Sequence, residues 1–140
     1  MDYLKTFNET MEKTAHIALA TSRDANPNVR IMTIWYDPRN KGVIYFPSAK
    51  NSPKTVEFAH NNKVAFTTVA NFEMGVIRVK DATVHKSELA VDDIKDGIAR
   101  NDTLFANTLE RMGLVFEVYE LHFDKAYLTV GAGQNVEVTL

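Results

Sequence analysis

The sequence contains no cysteine. Disulfide staples, a thiol nucleophile and cysteine-ligated metal sites are therefore excluded. Proline and glycine are sparse, at 4 and 6 residues, which rules out fibrous or low-complexity composition. A surplus of basic charge is also missing. The net charge of −2 argues against a nucleic-acid-binding surface. No apolar run approaches the ~20 residues that a membrane-spanning helix needs. Met1 to Lys13 is charged and amphipathic, without the apolar stretch of a leader. The cytoplasm is the expected compartment, with neither nucleic acid nor membrane as partner. His16, His60, His85 and His122 are scattered, with no pair at metal-ligand spacing. There is no Gly-x-Ser-x-Gly elbow. Asp92 and Asp93 fall on an exposed helix face, so a glycosidase-like carboxylate pair is not expected.

What is present describes a globular chain: 45% hydrophobic and 24% charged residues over 140 positions. That length suits one domain, residues 1–140, with a full core. Asp2 to Lys13 reads as a helix, with Leu4, Phe7 and Met11 at helical spacing. Ala15 to Thr21 reads as a first strand and Val29 to Tyr36 as a second, with Asp24-Ala25-Asn26-Pro27-Asn28 as the hairpin connection. Asp37 to Gly42 is another turn cluster, leading to a strand at Val43 to Ser48. A helix follows from Ser52 to His60. Val64 to Val69 and Val76 to His85 are strand-like, linked by Asn71 to Gly75. Ser87 to Met112 carries helical signals, capped at Ser87, broken at Arg100-Asn101-Asp102 and recapped by Asp102, with Gly113 ending it as a C′ residue. Leu114 to Phe123, Ala126 to Val130 and Val136 to Leu140 complete the strands. Six or seven strands with three or four helices suggest an antiparallel barrel or sandwich.

The stretch from Asn26 to Phe58 carries the chemistry. Ser52 is a natural N-cap and Pro53 suits the first helical position. Free N–H groups and the helix dipole make such a terminus a seat for phosphate, and Lys54 adds a full charge. The alternative is an ordinary capped helix with a solvated lysine. Arg30 opens an apolar strand, where an arginine needs a partner: phosphate oxygens, or a carboxylate such as Asp24. Ile31, Thr33 and Trp35 share one face of that strand, and Arg30, Met32, Ile34 and Tyr36 the other. Both faces are largely apolar, so the strand should lie in a barrel wall or under a partner subunit. Its edge could offer backbone groups to the rim of a flat ring. Arg78 reads as a strand arginine paired with Asp81 or Glu73.

The order Pro-Asn-Val-Arg-Ile-Met-Thr-Ile, Gly-Val-Ile-Tyr-Phe-Pro-Ser, Ser-Pro-Lys and Val76-Ile77-Arg78-Val79-Lys80 resembles the FMN-binding split barrels. These are the pyridoxamine 5'-phosphate oxidase-like proteins, including their general-stress-protein branch. The resemblance implies a mainly β (α+β) fold, an antiparallel split β-barrel with flanking helices. It implies FMN held by Arg30, Ile31, Met32, Thr33, Ile34 and Trp35, by Phe46, Pro47 and Ser48, and by Ser52 and Lys54. It implies a homodimer with flavin at the interface and a small-molecule redox substrate. The departures are specific. Pro53 replaces an arginine of the family's Ser-Arg-Lys, with Lys50 as a possible substitute charge. Trp35 stands where the true oxidases have a substrate-binding lysine, Val76 replaces a glutamine, and Asp81 replaces a glycine. The C-terminal Trp and Arg-His signature has no counterpart in Asn107 to Leu140. The expectation is an FMN-dependent oxidoreductase that does not oxidise pyridoxamine phosphate. The competing readings are a flavin-storing stress protein, an F420- or haem-binding barrel, and a partner-binding barrel without cofactor.

Overall fold

The computed structural model describes residues 2–70, 75–131 and 133–140. Its elements run α1 (Tyr3–Glu12), β1 (His16–Arg23), β2 (Asn26–Thr33), β3 (Trp35–Tyr36), β4 (Val43–Ala49), α2 (Pro53–His60), β5 (Lys63–Thr68), β6 (Val76–Lys86), α3 (Val91–Ala99), α4 (Thr103–Met112), a 3-10 turn (Gly113–Val115), β7 (Phe116–Phe123), β8 (Lys125–Val130) and β9 (Gln134–Thr139). The strands pair antiparallel in the order β2-β1-β5-β6-β7-β4-β3, with β8 between β6 and β9. Because β3 continues β2 in the chain, the two ends of this order are joined and the sheet curls into a barrel. The link expected at Asn71-Phe72-Glu73-Met74 lies outside the described residues.

Two hydrophobic cores result. Ile17, Leu19, Met32, Ile34, Ile44, Phe46, Phe66, Ile77 and Leu121 fill the barrel, and α1 closes one end with Phe7 and Met11. Phe7 meets Tyr36 and Phe123 edge-on, at ring separations of 5.9 and 6.2 Å. The second core lies outside the barrel wall, where Val43, Tyr45 and Val118 meet Ile94 and Ile98 of α3 and Leu109 of α4. Residues of β4 therefore alternate between two cores and all but the last are buried. The double covering expected of strands in this region holds for β4 within one chain.

Several local features differ from the sequence reading. The first hairpin turn is only Asp24-Ala25, both in the left-handed region with φ of 52° and 65°. This two-residue geometry matches strand twist, so Asn26, Pro27 and Asn28 join β2. Pro27 is tolerated there because β2 is an edge strand. Val29 to Tyr36 is one run in the sequence but two strands in space. At Ile34 the chain leaves β1, with Ile34 N–H bonded to Ala15 O at 3.0 Å, and takes β4 as its partner. Ser87 does not cap α3. Its hydroxyl donates to Glu120 at 2.6 Å, and the helix starts later, with Asp93 accepting from Ala90 N–H at 2.7 Å. Asp102 does cap α4, accepting from Phe105 N–H at 2.9 Å. Gly113 keeps a right-handed φ of −57° and leads into a 3-10 turn rather than a left-handed stop.

Candidate functional site

The change of partner at Ile34 opens the barrel on one side. Arg23 and Asn26 close the first hairpin, and antiparallel pairs alternate in exchanging hydrogen bonds. Asn28, Arg30 and Met32 therefore face β1, while Val29, Ile31 and Thr33 turn their backbone groups to the free edge. The N–H of Val29 is taken by Asn28 Oδ1 at 2.9 Å. On the other side of the opening, Trp35 and Tyr36 pair with Tyr45 and Ile44. That register, if continued, would set Thr33 opposite Pro47 and Ile31 opposite Ala49, where β2 and β4 do not pair. Pro47 fits this margin. Val118, its partner in β7, directs its carbonyl to Ser87 N–H on the β6 side, so the missing N–H of Pro47 faces the split and not the β7 ladder.

The chain crosses from the end of β4 through Asn51, which has φ of 60°, into α2. Ser52 stands at the N-cap position, but its hydroxyl makes no cap. It shares a hydrogen bond with Ser48 Oγ at 3.2 Å instead. The first-turn N–H groups thus lack the side-chain acceptor that an N-cap serine usually supplies. Lys54 in that turn is partly buried, and among the described residues it has no ion pair or hydrogen bond. Burial first, and the charge of Arg30 second, hold its ammonium below the usual lysine value. Arg30 and Lys54 therefore lie close enough to repel.

Arg30 is anchored on two sides. Nη1 donates to Leu19 O at 3.2 Å and Nη2 to Glu57 Oε1 at 3.3 Å. Its carboxylate partner is Glu57 of α2, not Asp24, which lies 3.8 Å from Arg23. Glu57 also accepts from Thr21 Oγ1 at 2.6 Å and from Asn28 Nδ2 at 3.1 Å. The Thr21 bond, then those of Asn28 and Arg30, depress its carboxyl below the ordinary 4.5. A depressed acid stabilises the fold above its unfolded pKa and loses that contribution as pH falls through the folded value. The thermal midpoint should thus fall more steeply in the wild type than in Glu57→Gln between about pH 5 and about pH 3. Parallel curves in a scan against pH would show that Glu57 contributes nothing there.

The model of the pyridoxamine 5'-phosphate oxidase-like family matches residues 10–135. The chain belongs to this family. Its structure is similar to general stress protein 26 from Bacillus anthracis, with 15% identity, a TM-score of 0.72 and 100% of both chains covered. It is similar to ChuZ from Campylobacter jejuni, with 18% identity and a TM-score of 0.75, over 96% of this chain and 58% of that one. It is also similar to HutZ, the heme storage protein from Vibrio cholerae, with 12% identity and a TM-score of 0.68, over 91% of this chain and 95% of that one. At these identities the likeness establishes the shared fold alone. No curated protein matches the sequence.

The residues that the family pattern singles out fall in four places. Arg30, Lys54 and Ser52 gather where β2 meets the start of α2. Ile31, Thr33 and Pro47 border the split, and Ser48 is buried behind it. Met32, Ile34 and Phe46 point into the barrel core. Trp35 packs outward on Tyr45, with rings 5.2 Å apart. It also lies against Gly97 of α3, where an added Cβ would come within 2.3 Å of the indole. Lys50 is not part of the cationic group; it borders a hollow of about 920 Å³ with Glu117, Leu89 and Leu114. A smaller hollow of about 490 Å³ adjoins Pro53 and Glu57 beside the first hairpin. Arg78 is exposed on β6 and does not pair with Asp81; Glu73 lies outside the described residues. Glu57 was missed by the sequence reading. Its three-residue offset from Lys54, which puts both on one side of α2, was the available signal.

Proposed function

We propose that this chain binds FMN in the split between β2 and β4 and acts as a homodimeric, FMN-dependent oxidoreductase on a small-molecule substrate. The observation that carries the proposal is Lys54: a partly buried ammonium without a counter-ion among the described residues, beside Arg30, at the first turn of a helix whose N-cap hydroxyl makes no cap. Glu57 balances Arg30, which leaves the positive charge of Lys54 over, and a phosphate monoester with nearly two negative charges would neutralise it. The donor set fits FMN. Arg30, Lys54 and Ser52 would hold the phosphate, and the outward backbone groups of Ile31 and Thr33 would meet the polar rim of the ring. The redox chemistry would be that of the flavin when bound, with the protein orienting and tuning it. Val29 and Ile31 are 63% and 62% exposed on the outer face of β2, and a second copy of the chain would cover them. Pyridoxamine phosphate oxidation is not proposed, because Trp35 replaces the substrate lysine and packs against the second core.

The likeness to HutZ, a heme storage protein, makes haem the second reading. The cationic phosphate seat and the absence of histidine from β2, β4 and the first turn of α2 favour flavin. The absorbance spectrum of the purified protein separates the two. Oxidised flavin bands are expected, without a Soret band. Bleaching by NADH or NADPH and recovery in air would then establish turnover, and a colourless protein that does not take up added FMN would refute the proposal.

A further inference from the structure

Glu57 makes no contact with the split yet joins three elements at its cationic end. Oε2 takes the hydroxyl of Thr21 in β1, which is 3% exposed. Oε1 takes both Asn28 and Arg30 of β2. With Leu19 O on Nη1 and Glu57 on Nη2, the guanidinium is held at two points, from a strand and from a helix. Its remaining N–H groups are left for a further acceptor, since a guanidinium carries five. The side chains of Arg30 and Glu57 are only 20% and 14% exposed, so solvent screens this pair less than a surface ion pair. Glu57 also offsets the repulsion between Arg30 and Lys54.

Resting on the proposed phosphate seat, we infer that Glu57 is a positioning residue for the ligand's phosphate and acts through Arg30. Thr21 is the anchor that keeps Glu57 in place. The partner is thereby a phosphate monoester, and the discrimination Glu57 supports is FMN over riboflavin, which share the ring and differ in the phosphate.

Titration of the full-length protein with FMN and with riboflavin tests this. The wild type should prefer FMN. Glu57→Ala should reduce that preference by about tenfold while leaving riboflavin binding within about threefold of wild type. Glu57→Gln keeps an oxygen for Arg30 and should recover most of the preference. Thr21→Val, which removes the anchor and nearly preserves side-chain volume, should lose part of it; this variant serves if Glu57→Ala does not fold. An unchanged FMN-to-riboflavin ratio in Glu57→Ala or Thr21→Val would overturn the positioning role, as would a Gln variant no better than Ala. A wild type that does not distinguish FMN from riboflavin would instead overturn the phosphate seat itself.

Discussion

Arg30→Ala combined with Lys54→Ala should weaken FMN binding by on the order of 100-fold or more. Hydrogen bonds to charged groups contribute about 1.5–3 kcal/mol each, and every 1.4 kcal/mol is tenfold in affinity. The two losses need not add, because Arg30 and Lys54 face one anion. The single variants should behave differently in the absence of ligand. Lys54→Ala removes a partly buried charge that has no counter-ion among the described residues, so its thermal midpoint should match or exceed that of the wild type. Arg30→Ala takes one of three partners from Glu57 and should lower the midpoint. Fluorescence titration with FMN, beside a thermal melt of each apo variant, distinguishes lost contact from lost fold. A double variant that retains wild-type affinity would place the phosphate elsewhere.

Phe46→Ala should destabilise the fold by about 3–5 kcal/mol, the usual range for emptying an aromatic site in a core. Phe46 is fully buried. It stacks on Tyr119 with centroids 5.8 Å apart at 19°, and meets Phe58 edge-on at 6.0 Å. It thus ties β4 to β7 and to the helix that carries Lys54. Its ring does not reach the split, and its backbone groups face Tyr119 in β7. The folded fraction of Phe46→Ala should therefore keep FMN affinity within about tenfold of wild type. Chemical denaturation gives the first quantity and titration the second. Loss of FMN with unchanged stability would make Phe46 a ligand contact.

The parts of this molecule that were legible in advance are those with local causes. Runs of β-branched and aromatic residues gave the strands, Asp102 capped its helix, and Arg30 stood out because a cation in an apolar strand needs a partner. Its actual partner was not legible. Glu57 acquires its role from Thr21, Asn28 and Arg30, which only the folded barrel brings to it. Ile34 continues the same apolar run as its neighbours, so nothing in the pattern marks the switch from β1 to β4. Ser52 and Ser87 are good caps by residue type, yet each hydroxyl has another partner, Ser48 in one case and Glu120 in the other. Gly97 reads only as a weak helix former, and the indole that requires it lies on a distant strand.

That indole belongs to the chain's single tryptophan. It sits immediately beyond the residue where the strand changes allegiance, wedged against a helix with no room to spare. Any change in the gap above Ile34 that shifts β3 must turn the ring or push on α3. The molecule therefore carries its own optical gauge: the ultraviolet emission of one side chain reports on the gap, and does so through the helical layer on the far side of the wall.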